Sequence, residues 1–387
     1  MKFNKLNFYF LIIIVLLTAL LFLDKRFLPA KSPVSKFGSN DSELIGTVMR
    51  LIKTDYLEEP NPVRTTEGAF KGLVNSLDPL SAYLDKELAV RYLNRQNSVT
   101  NAGLVLYKKY GLFPLVAAVM ENSPAAKAGL RVGDNISAIN DRNTITMSLL
   151  EVNLLLEAEQ AKEEQPPVKL RVVRGNETLE LQVSRDFSLS PSLKIISESP
   201  EFIRLKPSAI YPGLANEMNK SLVGSLKKTA PQPKAIILDL RDCWTGDYEE
   251  ARKVLNLFLK AEEIGFFERR DKKQSVTCPE NPNFANQKIF LWVNQATYGP
   301  AEMVAAVLRE FQRAKVIGIE TPGLVGKQEN FPLSDGSLVV LTTAIFSLKS
   351  GTKLWDTSVP LDEKLPFTEK MDKAYHDKTI SLLSTKN

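Results

Sequence analysis

The chain has 387 residues, with 50 Lys and Arg against 45 Asp and Glu, and a formal net charge of +5. This length favours two domains over one, and the interspersed charges, with no block of one sign, argue against a nucleic-acid partner. A single histidine, His376, excludes a histidine-built zinc centre and argues against a Ser–His–Asp triad. It stands in a polar C-terminal segment and reads as a solvated tail residue. Cys243 and Cys278 are the only cysteines and lack CxxC spacing; an oxidising compartment could join them, but the spacing does not require it. Nucleotide-loop, zinc-protease and Gly-x-Ser-x-Gly signatures are absent, as are internal repeats, so neither a cofactor nor a metal is expected.

Leu6–Leu23 is an uncharged stretch flanked by Lys2 and Lys5 before it and by Asp24, Lys25 and Arg26 after it. It is long enough for one N-terminal transmembrane helix. Leu28-Pro29-Ala30 is a poor cleavage site, so the expectation is an uncleaved signal anchor with the bulk of the chain extracytoplasmic, on the periplasmic or cell-surface side. Residues 1–39 thus comprise a cytoplasmic tip, the anchor and a polar tether. In residues 40–98, Leu44, Ile45, Val48, Met49, Ile52 and Tyr56 recur at helical spacing, and Gly68–Leu77 begins a second helical pattern. Leu77-Asp78-Pro79-Leu80-Ser81-Ala82-Tyr83-Leu84 reads as a Pro-directed turn that delivers Tyr83 and Leu84 to a core.

Residues 99–186 read as a β-rich module. Gly129 and Gly133 permit tight turns, Asp134 can satisfy turn amides, and Val168–Val173 with Thr178–Val183 alternate like strands paired across Arg174-Gly175-Asn176. The run Ser123 to Asn140, SPAAKAGLRVGDNISAIN, closely resembles the PDZ pattern, with Gly103-Leu104-Val105-Leu106 where such domains carry a carboxylate-binding loop. That resemblance implies a groove in which a peptide adds as a strand while loop amides hold its terminal carboxylate.

Residues 187–387 alternate strands with helices. Phe202–Leu205, Ala235–Arg241, Lys288–Val293, Val316–Ile319 and Ser337–Thr342 read as strands; Tyr211–Leu226, Glu249–Leu259 and the segment opening at Pro300 read as helices. This implies an α/β core with a mostly parallel sheet. From Ala301, the residues Met303, Val304, Val307, Leu308 and Phe311 mark one apolar helix face, and Pro300 suits the first helical turn.

Residues from about 44 to 365 resemble the carboxyl-terminal processing, or tail-specific, serine proteases. Leu77–Leu84 is similar to their LDPYSxYL, Phe202–Leu205 to YIRI, Pro332–Gly336 to PLSDG, and Val359-Pro360-Leu361-Asp362 to V-x-PD. Their nucleophile loop runs VN-x-x-SASASEI and their general base lies in T-x-GKG-x-VQ. Laid without gaps, Val293-Asn294 meets VN, Ala301-Glu302-Met303 meets SEI, and the serine falls on Gly299. Thr321, Gly323 and Gln328 match the second loop, and its lysine falls on Leu324; counting back from Pro332–Gly336 gives the same register.

The resemblance therefore implies a protease-like fold without its Ser–Lys dyad. Glycine offers no nucleophile and leucine accepts no proton. Gln328, which supports the lysine in the family, remains. Where the family has LR-x-N-x-GG, with glycine amides at the oxyanion, this chain has Asp242, Cys243, Trp244, Thr245 and Gly246: Gly246 keeps the oxyanion position, Thr245 replaces its partner glycine, and bulky Trp244 reads as filling part of the cleft. The expected function is a membrane-anchored pseudoprotease, an adaptor or regulator that binds polypeptide C-termini or unfolded exported proteins. The alternative is an active endopeptidase processing the C-termini of exported proteins, in which a slipped loop presents Thr297 and Lys327 as a displaced dyad.

Overall fold

In the computed structural model, the described residues are 39–95, 100–159, 165–188, 190–199, 201–228, 233–368 and 371–384. The Leu6–Leu23 anchor lies outside them; among the described residues no helix is long and apolar enough to cross a membrane. The chain divides into two compact units between Thr66 and Glu67. In the first, Ser39–Asp55 is a helix, and the helix Pro62–Asn75 begins there and runs on across the division.

In the second unit, Asp78 organises the turn expected at Leu77–Leu84, its carboxylate accepting from Leu80 N, Ser81 N and the Ser81 hydroxyl. Tyr83 and Leu84 are buried. A five-strand path runs through Leu104–Tyr107, Leu115–Val119, Asn135–Ile139, Val168–Arg174 and Glu177–Val183, every pair antiparallel, with Arg142–Asn143 added on Asn135–Ile139. The helix Leu149–Leu156 packs Leu149, Val152 and Leu156 into one apolar cluster with Leu106, Val116, Ile136, Leu170 and Val172. Asp134 acts as its sequence position suggests: it accepts from Arg131 N at 2.8 Å and pairs with Arg174 at 2.7 Å.

The remaining chain builds two sheets. The first has the order Leu193–Ser199, Phe202–Pro207, Ala235–Asp239, Lys288–Val293, Ala314–Gly318 and Glu363–Lys364, parallel throughout except for its first pair. Ala235–Asp239 is buried at every residue, as expected of a strand covered on both faces. One face meets the helices Leu214–Lys228, Tyr248–Asn256 and Pro300–Glu310 through Leu238, Leu291 and Val304. The other meets the helix Met371–Ser384, where Tyr375 packs with Phe202, Ile237 and Trp292.

The second sheet is antiparallel and corrects the expectation of a mostly parallel core: Ala82–Leu84, Leu338–Leu348, Ala261–Glu268 and Lys273–Cys278 lie in sequence across it, and Gly326–Pro332 also pairs with Leu338–Leu348. Two further expectations change. The C-terminal segment is a helix rather than a solvated tail, and the His376 ring lies edge-on to Phe202 at 5.4 Å. Cys243 and Cys278 are buried, free thiols; burial drives the Cys243 thiol far up and that of Cys278 up to about 11, so both stay protonated and unreactive.

Candidate functional site

The helix Pro300–Glu310 starts at the C-terminal edge of the parallel sheet, where Val293 hands over to the loop Asn294–Gly299. Asn294 shapes this loop with its side chain: Oδ1 accepts from Ala296 N at 3.0 Å and from Asp242 N at 3.2 Å, while Nδ2 donates to Asp242 Oδ1 at 2.9 Å. Gly299 stands just before the helix at φ 53° and ψ −113°, a conformation that penalises any side chain. A β-carbon there would lie 3.4 Å from Tyr248 Oη and 3.7 Å from Leu324 O, so the space is open and the backbone is the obstacle.

Glu302 is the polar centre of the site and is fully buried. Its Oε2 accepts from Gly299 N at 3.1 Å and Leu324 N at 2.9 Å, and its Oε1 accepts from Gly323 N at 2.6 Å. The two aligned loops are thus tied together at Gly299 and Leu324. Burial pushes the Glu302 carboxyl up to about 7, against the lowering effect of the Thr321 hydroxyl and the three amides. Tyr248, whose hydroxyl donates to Gly326 O at 3.1 Å, closes the other side of the Gly299 position.

Leu324 is 2% exposed and offers no proton acceptor on its side chain where the resemblance puts the lysine. The residues of the slipped alternative are engaged elsewhere. The Thr297 hydroxyl donates to Leu240 O at 2.9 Å and accepts from Asn294 N at 3.0 Å. Lys327 Nζ sits 3.9 Å above the centre of the Phe267 ring, a cation–π contact. Gln328 is exposed, its amide donating to Gly326 O at 3.1 Å, and a bulge separates it from Lys327.

The loop after Ala235–Asp239 is held from both sides. Ile210 N donates to Thr245 O at 3.0 Å, Asp247 N donates to Ile210 O at 2.8 Å, and Tyr298 N donates to Cys243 O at 3.0 Å. A β-carbon at Gly246 would meet Ile210 O at 2.5 Å, which restricts this position to glycine. Trp244 is half-buried, and the cluster it packs against combines Val105, Ala117 and Ala118 of the PDZ-like sheet with Ala296 and Tyr298. Trp244 thus packs against a cluster shared by that sheet and the loop Asn294–Gly299.

Of the expected peptide loop, Gly103 has φ 76° and presses on Ser123, Leu104 and Leu106 join the apolar cluster, and Val105 faces the core loops. Three contributors were missed from sequence. Glu302 could have been flagged as an acid on a helix otherwise apolar around it; Tyr298, whose hydroxyl donates to Leu106 O at 2.9 Å, and Gln295, whose amide donates to Ala117 O at 2.9 Å, carried no local signal.

The Glu302 geometry sets a pH dependence. With its carboxyl moved from 4.5 to about 7 on folding, the folded chain holds the extra proton between those values. Stability from this group is therefore complete below the lower value and lost as pH rises through the upper one. Over that window, thermal or urea unfolding should show the wild type losing about 3 kcal/mol relative to Glu302→Gln, at 1.36 kcal/mol per unit of pKa shift. A pH-independent difference between the two proteins would exclude this titration.

Comparison with known proteins places these features. Residues 210–365 match Peptidase family S41 and residues 115–165 match a PDZ domain. The carboxy-terminal processing protease CtpA of Bacillus subtilis is 28% identical over 96% of this chain and 80% of its own length. A probable CtpA-like serine protease of Staphylococcus haemolyticus is 25% identical over 86% of this chain and 66% of its own. A photosystem II D1 C-terminal processing protease superposes with a TM-score of 0.64 at 18% identity, covering 85% of this chain and 94% of its own, which shows a shared fold. The chain accordingly joins a PDZ domain to a peptidase family S41 domain and is similar, along most of its length, to carboxy-terminal processing proteases.

Proposed function

We propose that this protein binds polypeptide C-termini without cleaving them, as a pseudoprotease acting as an adaptor or regulator. The observation that carries the reading is the pairing of Gly299 with Leu324: the loops of a protease cleft meet, tied by Glu302, with neither a nucleophile nor a proton acceptor at the two aligned positions. Acyl transfer needs both, and oxyanion amides alone do not supply an attacking group. Recognition of C-termini follows from the PDZ domain and from the processing activity named for the relatives. The uncharged Leu6–Leu23 stretch supports membrane anchorage with the bulk of the chain outside the cytoplasm.

Incubated with a chemically unfolded protein, the full-length chain should release no fragments above background, and Thr297→Ala or Lys327→Ala should change nothing. Robust cleavage that Lys327→Ala abolishes, with circular dichroism unchanged, would establish a displaced base and overturn the reading. For the topology, protease added to spheroplasts should digest the region after the anchor while the N-terminus of the retained fragment remains Met1 or Lys2. Complete protection of that region, or a mature start near Lys31, would contradict it.

A further inference from the structure

We propose that the PDZ groove is occupied by the chain's own side chains, Trp244 and Tyr298 from the two core loops beside Gly299, so that an arriving polypeptide C-terminus must displace them and loosen those loops. This rests on the reading of the PDZ domain as a binder of C-termini. A peptide added to such a groove needs three things: amides for its terminal carboxylate, a pocket for its last side chain, and the backbone groups on the open edge of a strand. In this molecule one amide of that loop, the pocket and one carbonyl on the strand edge are engaged internally.

Among the amides of the carboxylate loop, Gly103 N donates to Asn101 Oδ1 at 2.7 Å. The pocket between that loop and the end of the helix Leu149–Leu156 is lined by Ala102, Leu104, Asn153, Leu156 and Trp244, and only about 20 Å³ of it is open. That is room for about one water and for no side chain of a ligand. Glu157, also on its wall, is paired with Arg95, so the pocket presents an apolar surface suited to an apolar terminal residue once the indole leaves.

The edge contact follows from the register. Leu106 stands opposite Val116, yet Val116 N donates to Asp134 O at 2.8 Å and Val116 O accepts from Gly133 N at 2.9 Å, both on the far side. The pair is therefore of the non-hydrogen-bonded kind, and the Leu106 carbonyl faces the open edge. There the buried Tyr298 hydroxyl takes it at 2.9 Å.

Trp244 and Tyr298 belong to loops joined by the bond from Tyr298 N to Cys243 O and by the Asn294 contacts to Asp242. A ligand that expels the two aromatics pulls on both loops together, and Tyr298 is the immediate neighbour of Gly299.

The test uses the full-length chain and a dye-labelled octapeptide ending in Ala-Leu with a free carboxylate, its amidated form serving as control. Fluorescence anisotropy should show Trp244→Ala binding the free-carboxylate peptide about tenfold more tightly than wild type, since no indole must leave the pocket, and Tyr298→Phe severalfold more tightly, since the Leu106 carbonyl is no longer held by a hydroxyl. Trp244→Phe provides a milder substitution should the alanine variant misfold. Binding should also raise amide hydrogen exchange across 242–247 and 294–299 in the wild type. Equal affinity for the wild type and all three variants, or binding without a change in exchange, would overturn the proposal while leaving the PDZ reading intact. Absence of binding in the wild type and every folded variant would overturn both.

Discussion

The carboxylate of Glu302 is the constraint on which the site depends. It stands in the first turn of a buried helix and accepts amides from residue 299 on one loop and residues 323 and 324 on another, so three backbone donors that would otherwise be stranded in the interior are satisfied by one side chain. Bonds to a charged acceptor are worth about 1.5–3 kcal/mol each, and an unsatisfied buried donor costs about 1–3 kcal/mol. The desolvation visible in the raised Glu302 carboxyl offsets part of that gain. The arrangement explains how the two loops stay together with glycine and leucine at the positions aligned with the family's serine and lysine: they are held by backbone bonds that involve neither side chain.

From this centre, restraint passes outward through the loops to the PDZ domain. Asn294 bridges its own loop to Asp242, Thr297 returns its hydroxyl to Leu240, and Gln295 and Tyr298 reach the PDZ strands. The contact is mixed in character: Ala296 and Tyr298 are packed against Val105, Ala117 and Ala118, while the hydrogen bonds fix which strand carbonyls are taken. Together these contacts set where the loops sit along the strands.

Much of this was legible in the sequence because the informative segments are uninterrupted. The PDZ module declared itself in Ser123–Asn140, where glycines and Asp134 stand at turn positions that few sequences fit by chance, and the fully apolar Ala235–Leu238 could only be a covered strand. The antiparallel sheet was not legible. Lys273–Cys278 and Gly326–Pro332 are largely polar and exposed, and they are strands because their backbones pair with neighbours far along the chain. His376 was misread for a related reason, since its helix buries only Tyr375 and Thr379 fully and shows a weak apolar pattern. Trp244 was read against the cleft its loop belongs to, whereas the cluster it packs against also includes Val105, Ala117 and Ala118 of the PDZ domain, far earlier in the chain.

The most direct measurement of whether the cleft lacks a working nucleophile is chemical. The full-length chain would be treated with a fluorophosphonate that captures activated serine and threonine hydroxyls, then mapped by mass spectrometry. The account predicts no adduct anywhere from Asn294 to Gln328, because residue 299 has no hydroxyl and the Thr297 proton is committed to Leu240 O. A stoichiometric adduct on Thr297, lost in Lys327→Ala, would contradict it.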